Sequence, residues 1–196
     1  MMREFKESKI LRKHYNPNVD FGRLKSMVNI CMTRIDERLI HGQVTVKWIQ
    51  FAKCTRIIIV DDEIVNDQFF INIFRMSLPD QLKFDVFNVD EAVKVLNKGK
   101  ANDKVMVLVK FPNIIKRLYD KGIKFHEIII GRIPAGEGKT KFYDNVFLSP
   151  EDIEIFEYLI SKNISIKIQM VPDSPSVELA NLLYQNKEGV IKTNLR

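Results

Sequence analysis

The sequence contains few of the residues that usually hold metals or disulfide frameworks. Its 196 residues include two cysteines and three histidines. The cysteines, Cys31 and Cys54, belong to no C-x-x-C motif and to no Cys/His cluster. This spacing argues against a zinc-stabilised or disulfide-stapled protein. We expect both cysteines to be reduced core thiols, with no structural disulfide and no zinc.

Long apolar runs are also missing. No run approaches the roughly 18–20 residues of a membrane span, and the N-terminus lacks the apolar core of a secretory signal. We therefore expect no segment inserted in a membrane, and the reduced cysteines predict a cytoplasmic location. The chain has no internal repeat or low-complexity linker, and 45% of its residues are hydrophobic. This composition suits a single globular domain with a core of useful size.

Positive charge is concentrated at the N-terminus. The chain has a formal net charge of +6, and residues 1–26 contain seven Lys/Arg and three acidic residues, a net charge of +4. The remaining 170 residues therefore carry only +2. They contain no arginine-rich stripe and no RNA-binding aromatic motif, which argues against a nucleic-acid partner.

Three segments follow from the change in composition along the chain. Residues 1–26 mix charges without periodicity and are interpreted as a flexible N-terminal extension. Met27 directly precedes the first strand pattern, so translation could start there; the extension could also be the remnant of a fused neighbour or a docking tail. Residues 27–186 form the domain, and we expect a loose C-terminal end over 187–196.

Strand and helix patterns alternate through the domain. The last of the helix patterns starts at Ser174-Pro175. The strand patterns are Ile30–Arg34, Arg56–Val60, Leu82–Phe87, Lys104–Val109, Glu127–Ile130, Phe142–Leu148 and Ile164–Met170. This order predicts an α/β fold: one three-layer domain with a mostly parallel sheet of about seven strands and helices on both faces.

The stretch from Arg34 to Gln43 is the candidate functional loop. It follows the first strand and precedes the first helix, where parallel α/β proteins place their ligands. It contains two arginines, two carboxylates, a histidine and a glycine. The histidine can act as nucleophile, proton carrier or metal ligand, and the guanidinium groups match phosphate oxygens. Spacing alone fits a solvated turn equally well.

His41 is the best candidate among the histidines. His14 lies in the extension, and His126 begins a strand, where a histidine is more often structural. His41 adjoins a helix N-terminus, which favours an anion such as phosphate. Its imidazole could attack phosphorus while Arg34 and Arg38 offset the charge on the oxygens. Asp36 could orient the imidazole or could simply pair with one of the arginines.

These residues carry a resemblance to a known family. The stretch RIDERLIHGQV, starting at Arg34, resembles the active-site signature of the enzyme IIB component of bacterial sugar phosphotransferase systems, mannose/fructose/sorbose family. The resemblance extends from about Met27 to Tyr184. Other stretches that resemble landmarks of that family follow in order: Trp48, Ile58–Asp62, Val65–Asp67, Val107–Lys110, Ile130–Gly131, Leu148–Asp152 and Val171–Pro172.

The resemblance implies a phosphoryl relay. His41 would accept a phosphoryl group from a phosphorylated IIA protein and pass it to a sugar carried by the membrane IIC/IID permease. This is a protein-N(pi)-phosphohistidine–sugar phosphotransferase, associated peripherally with the permease. Arg38 would bind the phosphoryl group, and Asp36 and Arg34 would shape the site, with no metal or organic cofactor. Such a relay needs an exposed imidazole; fructose, mannose, sorbose and amino sugars all remain open as substrates.

Further phosphoryl-binding candidates are Gly42, Gln43 and Arg132. Gly42 and Gln43 begin the helix after His41. Arg132 marks a departure from the family, which commonly has paired glycines after the fifth strand, whereas here Gly131 is followed by arginine. Arg132 and Lys139 could add positive charge near the phosphoryl site or could be solvated.

Two other functions fit the same residues. The pattern Arg-x-x-His-Gly is faintly similar to the site of histidine phosphatases or phosphomutases, which act on phosphate esters and need a second histidine. His126 would then have to reach His41. Alternatively, the protein could be a regulator outside transport that senses IIA phosphorylation.

Overall fold

The computed structural model describes residues 28–98 and 103–193. The predicted extension at 1–26, the candidate start at Met27 and His14 lie outside the described residues. At the other end, the backbone is helical as far as Thr193, over part of the stretch predicted to be loose. The division of the chain into three segments stays a prediction.

The domain is built on a seven-stranded sheet with six helices among the described residues. The strands are β1 (Asn29–Asp36), β2 (Arg56–Val60), β3 (Lys83–Phe87), β4 (Lys104–Val109), β5 (Glu127–Arg132), β6 (Thr140–Tyr143), β7 (Val146–Leu148), β8 (Ser165–Ile168) and β9 (Val177–Glu178). The helices are α1 (Gly42–Ala52), α2 (Gln68–Met76), α3 (Val89–Lys98), α4 (Pro112–Asp120), α5 (Pro150–Ser161) and α6 (Leu179–Thr193).

The strand order in the sheet is β3-β2-β4-β1-β5-β8-β9. All neighbours pair in parallel except β8 and β9, which are antiparallel. Buried residues of α1 and α2 pack in one hydrophobic core, and those of α3 to α6 pack in another. The predicted fold, a mostly parallel sheet between two helical layers, is therefore confirmed.

The alternation of side chains along each strand feeds both cores. In β4, Val105, Val107 and Val109 belong to the core beneath α3 to α6, whereas Met106 and Leu108 belong to the core beneath α1 and α2. All five are at most 1% exposed. A strand covered by helices on both faces has to be apolar at every position, which explains its unbroken apolar run.

Two segments differ from the sequence prediction. The extended segment Phe142–Leu148 does not join the main sheet; it contributes to the separate antiparallel hairpin β6–β7. Its turn contains Asp144 at a positive φ of 41°, a conformation that short hairpin turns favour. The seventh strand is the two-residue β9, so the helix predicted from Ser174 begins only at Leu179.

The crossovers leave a crevice beside β1. The helix that follows β1 is α1, and it packs on one face of the sheet. The neighbours of β1 in the sheet are β4 and β5, and the helices that follow them, α4 and α5, pack on the opposite face. Right-handed crossovers require this split because the chain leaves β1 in one direction and leaves β4 and β5 in the other. Ligands bind at such switch points, at the carboxyl ends of the strands. The loop containing His41 begins there.

Candidate active site

The loop after β1 is held to the body of the protein by apolar side chains. Leu39 is 1% exposed and Ile40 is 6% exposed, and both pack in the core with α1 and α2. The Leu39 N–H donates to the carbonyl oxygen of Asp36 at 2.9 Å, and Leu39 has a positive φ of 54°. A bulky residue with this backbone conformation is under strain. The loop is therefore a built structure and not a solvated turn.

Asp36 connects the two arginines of the loop. Its carboxylate is fully buried and accepts a hydrogen bond from Arg34 Nη2 at 3.0 Å. It also accepts bonds from Arg38 Nε at 3.1 Å, Arg38 Nη2 at 3.3 Å and the Arg38 backbone N–H at 3.3 Å. Arg34 is 2% exposed, whereas the Arg38 side chain is 32% exposed. One carboxylate thus holds a buried guanidinium and orients an accessible one.

Main-chain carbonyls and a tryptophan complete the surroundings of Arg34. Its Nη1 donates to the carbonyl of Gln169 at 3.0 Å, and its Nη2 donates to that of Met170 at 3.1 Å. The guanidinium carbon lies 5.1 Å from the ring centroid of Trp48, whose Nε1 also donates to Met170 O at 3.1 Å. Burial lowers the pKa of Arg34, and the charge of Asp36 opposes that shift.

Because Gly131 has no side chain, it leaves room for the side chains of Arg34 and Asp36. A Cβ atom there would lie 1.9 Å from Arg34 Nη2 and 2.4 Å from Asp36 Oδ2. No side chain fits at that distance. The close approach of Arg34 and Asp36 to β5 therefore requires glycine at position 131. This is the glycine of the Ile130–Gly131 stretch that resembles a landmark of the family.

His41 caps the N-terminus of α1 with extended backbone angles. Its N–H donates to Thr45 Oγ1 at 3.0 Å, and its ring Nδ1 lies 3.3 Å from the carbonyl oxygen of Leu39. Its Nε2 is buried and has no hydrogen-bond partner among the described residues. The ring is half-buried, not freely exposed as the relay chemistry predicts, because Leu39 and Ile40 draw the loop against the core.

Opposing effects act on the pKa of His41, with a lowering as their sum. Desolvation by burial lowers its pKa most, Asp36 raises it, and Arg38 lowers it. The ring is thus kept in its neutral, nucleophilic form at lower pH than an exposed histidine would be. The charge of Arg38 both acts on the imidazole and remains available to an anion beside it.

The helix start offers further donors. Gly42 and Gln43 are the first two residues of α1, and both are exposed. Backbone N–H groups in the first turn of a helix have no partner within the helix, and they carry the positive end of its dipole. Gly42 has a positive φ of 48°, which favours glycine there. These N–H groups belong to the residues that directly follow His41, and they lie at the same end of the sheet as His41.

The loop after β5 contributes less charge than its sequence predicts. Arg132 is aligned with Asp36 in the β1–β5 pairing, but its Nε lies 3.2 Å from Glu37 Oε1. Desolvation raises the pKa of Glu37, and Arg132 opposes this shift. Lys139 lies 2.9 Å from Asp152 at the start of α5. Both cations are paired with carboxylates, and a role for Arg132 in phosphoryl binding stays a prediction.

A cavity of about 390 Å³ opens beside Arg38. Its lining includes Glu63, Asp67 and Lys110 as well as the aromatic ring of Phe70. Phe70 is 47% exposed and its neighbour Phe69 is 70% exposed. The cavity and these two rings give the carboxyl edge of the sheet an apolar side next to its charged loop.

His126 is remote from His41. It immediately precedes β5, at the amino end of a parallel strand, whereas His41 follows the carboxyl end of β1. β5 has six residues, which corresponds to about 20 Å at roughly 3.3 Å per residue. The two histidines lie at opposite edges of the sheet and do not form the pair that a histidine phosphatase needs.

Three contributors to the site were not predicted from the sequence: the spacer at Gly131, the indole of Trp48 and the carbonyls of Gln169 and Met170. The only sequence signals for the first two were their positions among the family landmarks. Carbonyl acceptors leave no sequence signal, because every residue carries one.

Two further properties concern the described parts of the chain. Across residues 28–98 and 103–193, no helix is long and apolar enough to span a bilayer. The same ranges contain no group of three or more His, Cys, Asp or Glu side chains arranged to hold a metal ion.

The chain is similar to proteins of one family. Residues 30–194 match the family described as the PTS system sorbose subfamily IIB component. The sorbose-specific EIIB component of Klebsiella pneumoniae is 31% identical over 81% of this chain and 97% of its own length. The mannose-specific EIIAB component of Escherichia coli K12 is 31% identical over 79% of this chain. The chain spans about half, 48%, of that relative's length.

A solved structure gives the same relationship. The crystal structure of the IIBSor domain of the sorbose permease from Klebsiella pneumoniae matches with a TM-score of 0.76 and 30% sequence identity. The match covers 80% of this chain and 97% of that domain. The fold described above is therefore that of this group of domains.

Proposed function

Because the chain belongs to the sorbose subfamily of phosphotransferase-system IIB components, we propose that His41 accepts a phosphoryl group from a phosphorylated IIA protein. The group then passes to a sugar held by the membrane IIC/IID permease. The reaction class is that of a protein-N(pi)-phosphohistidine–sugar phosphotransferase. The protein works in the cytoplasm and meets the permease at the membrane surface.

The observation that carries this proposal is the placement of His41 beside a prearranged cationic group. The partly exposed guanidinium of Arg38 is oriented by hydrogen bonds to Asp36, and Asp36 is anchored in turn by buried Arg34. Phosphoryl transfer needs little covalent chemistry from the protein beyond the nucleophile. It needs fixed positive charge where the oxygens of the phosphoryl group develop charge.

Each transfer exchanges one bond to phosphorus for another. The imidazole lone pair of His41 forms a P–N bond as the bond from phosphorus to the donor's histidine breaks. In the second step a sugar hydroxyl oxygen forms the new P–O bond, the P–N bond breaks with its electron pair returning to the imidazole, and the released imidazole takes up the hydroxyl proton. Arg38 and the first-turn N–H groups of α1 offset the charge on the phosphoryl oxygens in both steps.

The sequence leaves open which imidazole nitrogen of His41 is phosphorylated, and the reaction class proposed above points to Nδ1. In the resting site this atom lies 3.3 Å from the carbonyl oxygen of Leu39, and a proton on Nδ1 satisfies that contact. Attack through Nδ1 therefore requires the ring to turn away from Leu39 when the partner docks. The half-buried side chain then becomes accessible in the complex, where transfer takes place.

The partners would dock at the carboxyl edge of the sheet. Phe69 and Phe70 start α2 next to the loop with His41 and give this edge exposed aromatic area, since Phe70 shares a cavity with Arg38. Exposed aromatic residues are common anchors in protein interfaces. Two partners that use the edge in turn need interfaces of small size, below about 1,200 Å² in total.

The proposal is tested by incubating the protein with radiolabelled phosphoenolpyruvate, the general phosphotransferase proteins and the cognate IIA, and measuring the phosphate that it acquires. We expect one acid-labile phosphate on the wild-type protein and none on His41→Ala. His126→Ala is the matched control because His126 is exposed at the opposite edge of the sheet. It should label as the wild type does. Labelling of His41→Ala at the wild-type level would remove the assignment.

A second measurement separates transport from regulation. The complete set of IIA, IIB, IIC and IID proteins is reconstituted in vesicles with labelled fructose, mannose, sorbose or an amino sugar. Phosphorylated sugar should accumulate with the wild-type protein and not with His41→Ala. A protein that is labelled by IIA but supports no sugar phosphorylation would be a sensor of IIA and not a transport subunit.

A further inference from the structure

The two cysteines of the chain lie against each other although they are 23 positions apart in the sequence. The Sγ atoms of Cys31 and Cys54 are 3.1 Å apart, and both residues are free thiols. Cys31 lies in the first half of β1, and Cys54 lies between α1 and β2. Neither sulfur contributes to the phosphoryl site, so the relay does not account for their pairing.

An irregularity in β1 aims Cys31 at its partner. In the pairing with β4, Ile30 aligns with Val105 and Met32 aligns with Met106, so Cys31 is the extra residue of a bulge. Ile30 packs against the core beneath α3 to α6, whereas Cys31 and Met32 both pack with the core beneath α1 and α2. A bulge redirects side chains in this way. Two consecutive residues of a strand therefore face the same side.

The C-terminal cap of α1 places Cys54 next to Cys31. Lys53 ends α1 in the left-handed conformation, with φ 51° and ψ 44°. The following N–H, that of Cys54, donates to the carbonyl of Ile49 at 3.0 Å. This cap turns the chain out of α1 and directs it to β2, with Cys54 at the turn. Two local departures from regular structure thus bring the sulfur atoms together.

The two thiols have different surroundings. Cys54 is 8% exposed, whereas Cys31 is half-buried and lines a cavity of about 210 Å³. Lys124, His126 and Glu127 line the same cavity. The hydrogen bond from the Cys54 thiol lowers the pKa of Cys31, and Lys104 adds to that shift while desolvation opposes it. A thiol that lines a cavity and has a lowered pKa is the more reactive of the two.

We propose that Cys31 and Cys54 are a reversible redox pair, in which a hydroperoxide entering the cavity oxidises Cys31 and Cys54 then closes a disulfide with it. The Cys31 sulfur forms a bond to the peroxide oxygen as the O–O bond breaks, which leaves a sulfenic acid and releases an alcohol or water. The Cys54 sulfur then attacks the Cys31 sulfur; the S–S bond forms, the S–O bond breaks, and water departs. Two thiols and one hydroperoxide become a disulfide, an alcohol or water, and one water.

The cross-link would enclose the whole phosphoryl loop. The segment between Cys31 and Cys54 contains Arg34, Asp36, Arg38, His41 and all of α1. Closing the bond requires the sulfur atoms to approach from 3.1 Å to about 2.05 Å. That movement is about 1 Å, small enough for the flanking backbone to absorb. A disulfide there limits the freedom of this segment in the unfolded chain, so oxidation should raise the thermal midpoint.

The experiment treats the reduced, full-length protein with hydrogen peroxide and maps its peptides without reducing agent. We expect a monomer lighter by two hydrogen atoms, with a peptide containing Cys31 joined to one containing Cys54, and recovery of both thiols with dithiothreitol. Cys54→Ser should stop at a sulfenic acid on Cys31, which a dimedone reagent captures. Cys31→Ser should leave Cys54 unmodified under the same treatment.

Three results would overturn the proposal. They are thiols that survive peroxide unchanged in the wild type, disulfides only between separate molecules, and oxidation of Cys31→Ser at the wild-type rate. The wild-type mapping requires no substitution, so it decides the question even if a variant folds poorly. Phosphate labelling of the reduced variants should match that of the wild type, because neither sulfur takes part in the relay.

Discussion

Replacement of Asp36 by asparagine tests the buried charge arrangement that supports the loop. The substitution keeps the shape of the side chain and removes its charge. Arg34 would then lose its only carboxylate partner among the described residues, while at 2% exposure it has almost no access to water. The amide NH₂ group of asparagine would also face guanidinium donors where a carboxylate oxygen now accepts. We expect the folded state to lose stability and the relay to slow.

The size of the stability loss in Asp36→Asn follows from the contacts that each arginine keeps. Removing one partner of a buried ion pair destabilises a protein by about 3–5 kcal/mol. Arg34 retains its bonds to the carbonyls of Gln169 and Met170, and Arg38, at 32% exposure, can turn to water. The lower end of the range, about 3 kcal/mol, therefore applies. With a slope of about 2 kcal/mol per molar urea, the midpoint should fall by about 1.5 M.

The assay is equilibrium unfolding in urea, followed by the fluorescence of Trp48, which packs against Arg34. Asp85→Asn is the matched control. Asp85 also pairs with an arginine, Arg56, at 2.7 Å, but it is 36% exposed. A pair that water reaches contributes about 1 kcal/mol or less, and Arg56 keeps a second carboxylate partner in Asp103, so this midpoint should move by less than about 0.5 M.

Equal midpoints for the two asparagine variants would refute the reasoning. That result would mean that the carboxylate of Asp36 stabilises the fold no more than a surface acid does. A loss of stability in Asp36→Asn with an unchanged rate of phosphate transfer from IIA would leave Asp36 as a structural residue only. The orientation of Arg38 would then not depend on it.

Three further predictions address the same site. Gly131→Ala should lower stability by about 3 kcal/mol because its methyl group would overlap Arg34 and Asp36, whereas Gly136→Ala, with no atom closer than 3.9 Å, should be nearly neutral. Arg38→Ala should slow phosphate transfer about 100-fold in rapid-quench experiments with little change in circular dichroism. The acid limb of the transfer rate should lie below the ordinary histidine pKa of about 6.5, because burial lowers the pKa of His41.

Each of these predictions has an outcome that contradicts it. Gly131→Ala with the unfolding midpoint of Gly136→Ala would show that the strand end tolerates a side chain. Unchanged single-turnover rates in Arg38→Ala would place the phosphoryl-binding charge elsewhere. An acid limb above the ordinary histidine pKa would contradict the effect of burial on His41. The same lowered pKa affects stability. As pH falls through the ordinary histidine pKa, the unfolded chain takes up the proton first, so the free energy of unfolding decreases.

The regular part of the fold could be predicted from the sequence because its cause is local. Alternating apolar periods and turn residues predict the order of strands and helices, and β4 has the unbroken apolar run of a central strand. β9 gave no such signal, because a pairing of only two residues at the edge of the sheet is too short to show a period in the sequence. The hairpin β6–β7 has the extended pattern of a sheet strand, and only its turn at Asp144 reveals that the chain doubles back.

The site divides in the same way. Arg34, Asp36, Arg38 and His41 lie within eight residues, so a single loop brings them together and the sequence reveals them. The contacts that fix them come from distant parts of the chain: the carbonyl of Met170 is 136 residues from Arg34. Burial of His41 depends on how two apolar neighbours meet the core. Neither can be derived from spacing.

The Met170 carbonyl also has a consequence for variation among related chains. Arg34 and Trp48 both donate to this one main-chain oxygen, which any amino acid would present. Point substitution at position 170 therefore leaves the acceptor in place, while an insertion or deletion between β8 and β9 would displace it. The constraint falls on the length of that loop, which Gln169 helps to set by donating to the carbonyls of Pro172 and Ser174. The Met170 side chain also accepts from Arg38 Nη2 at 3.5 Å through its sulfur, so a comparison of homologues should find loop length fixed here and long side chains favoured at position 170.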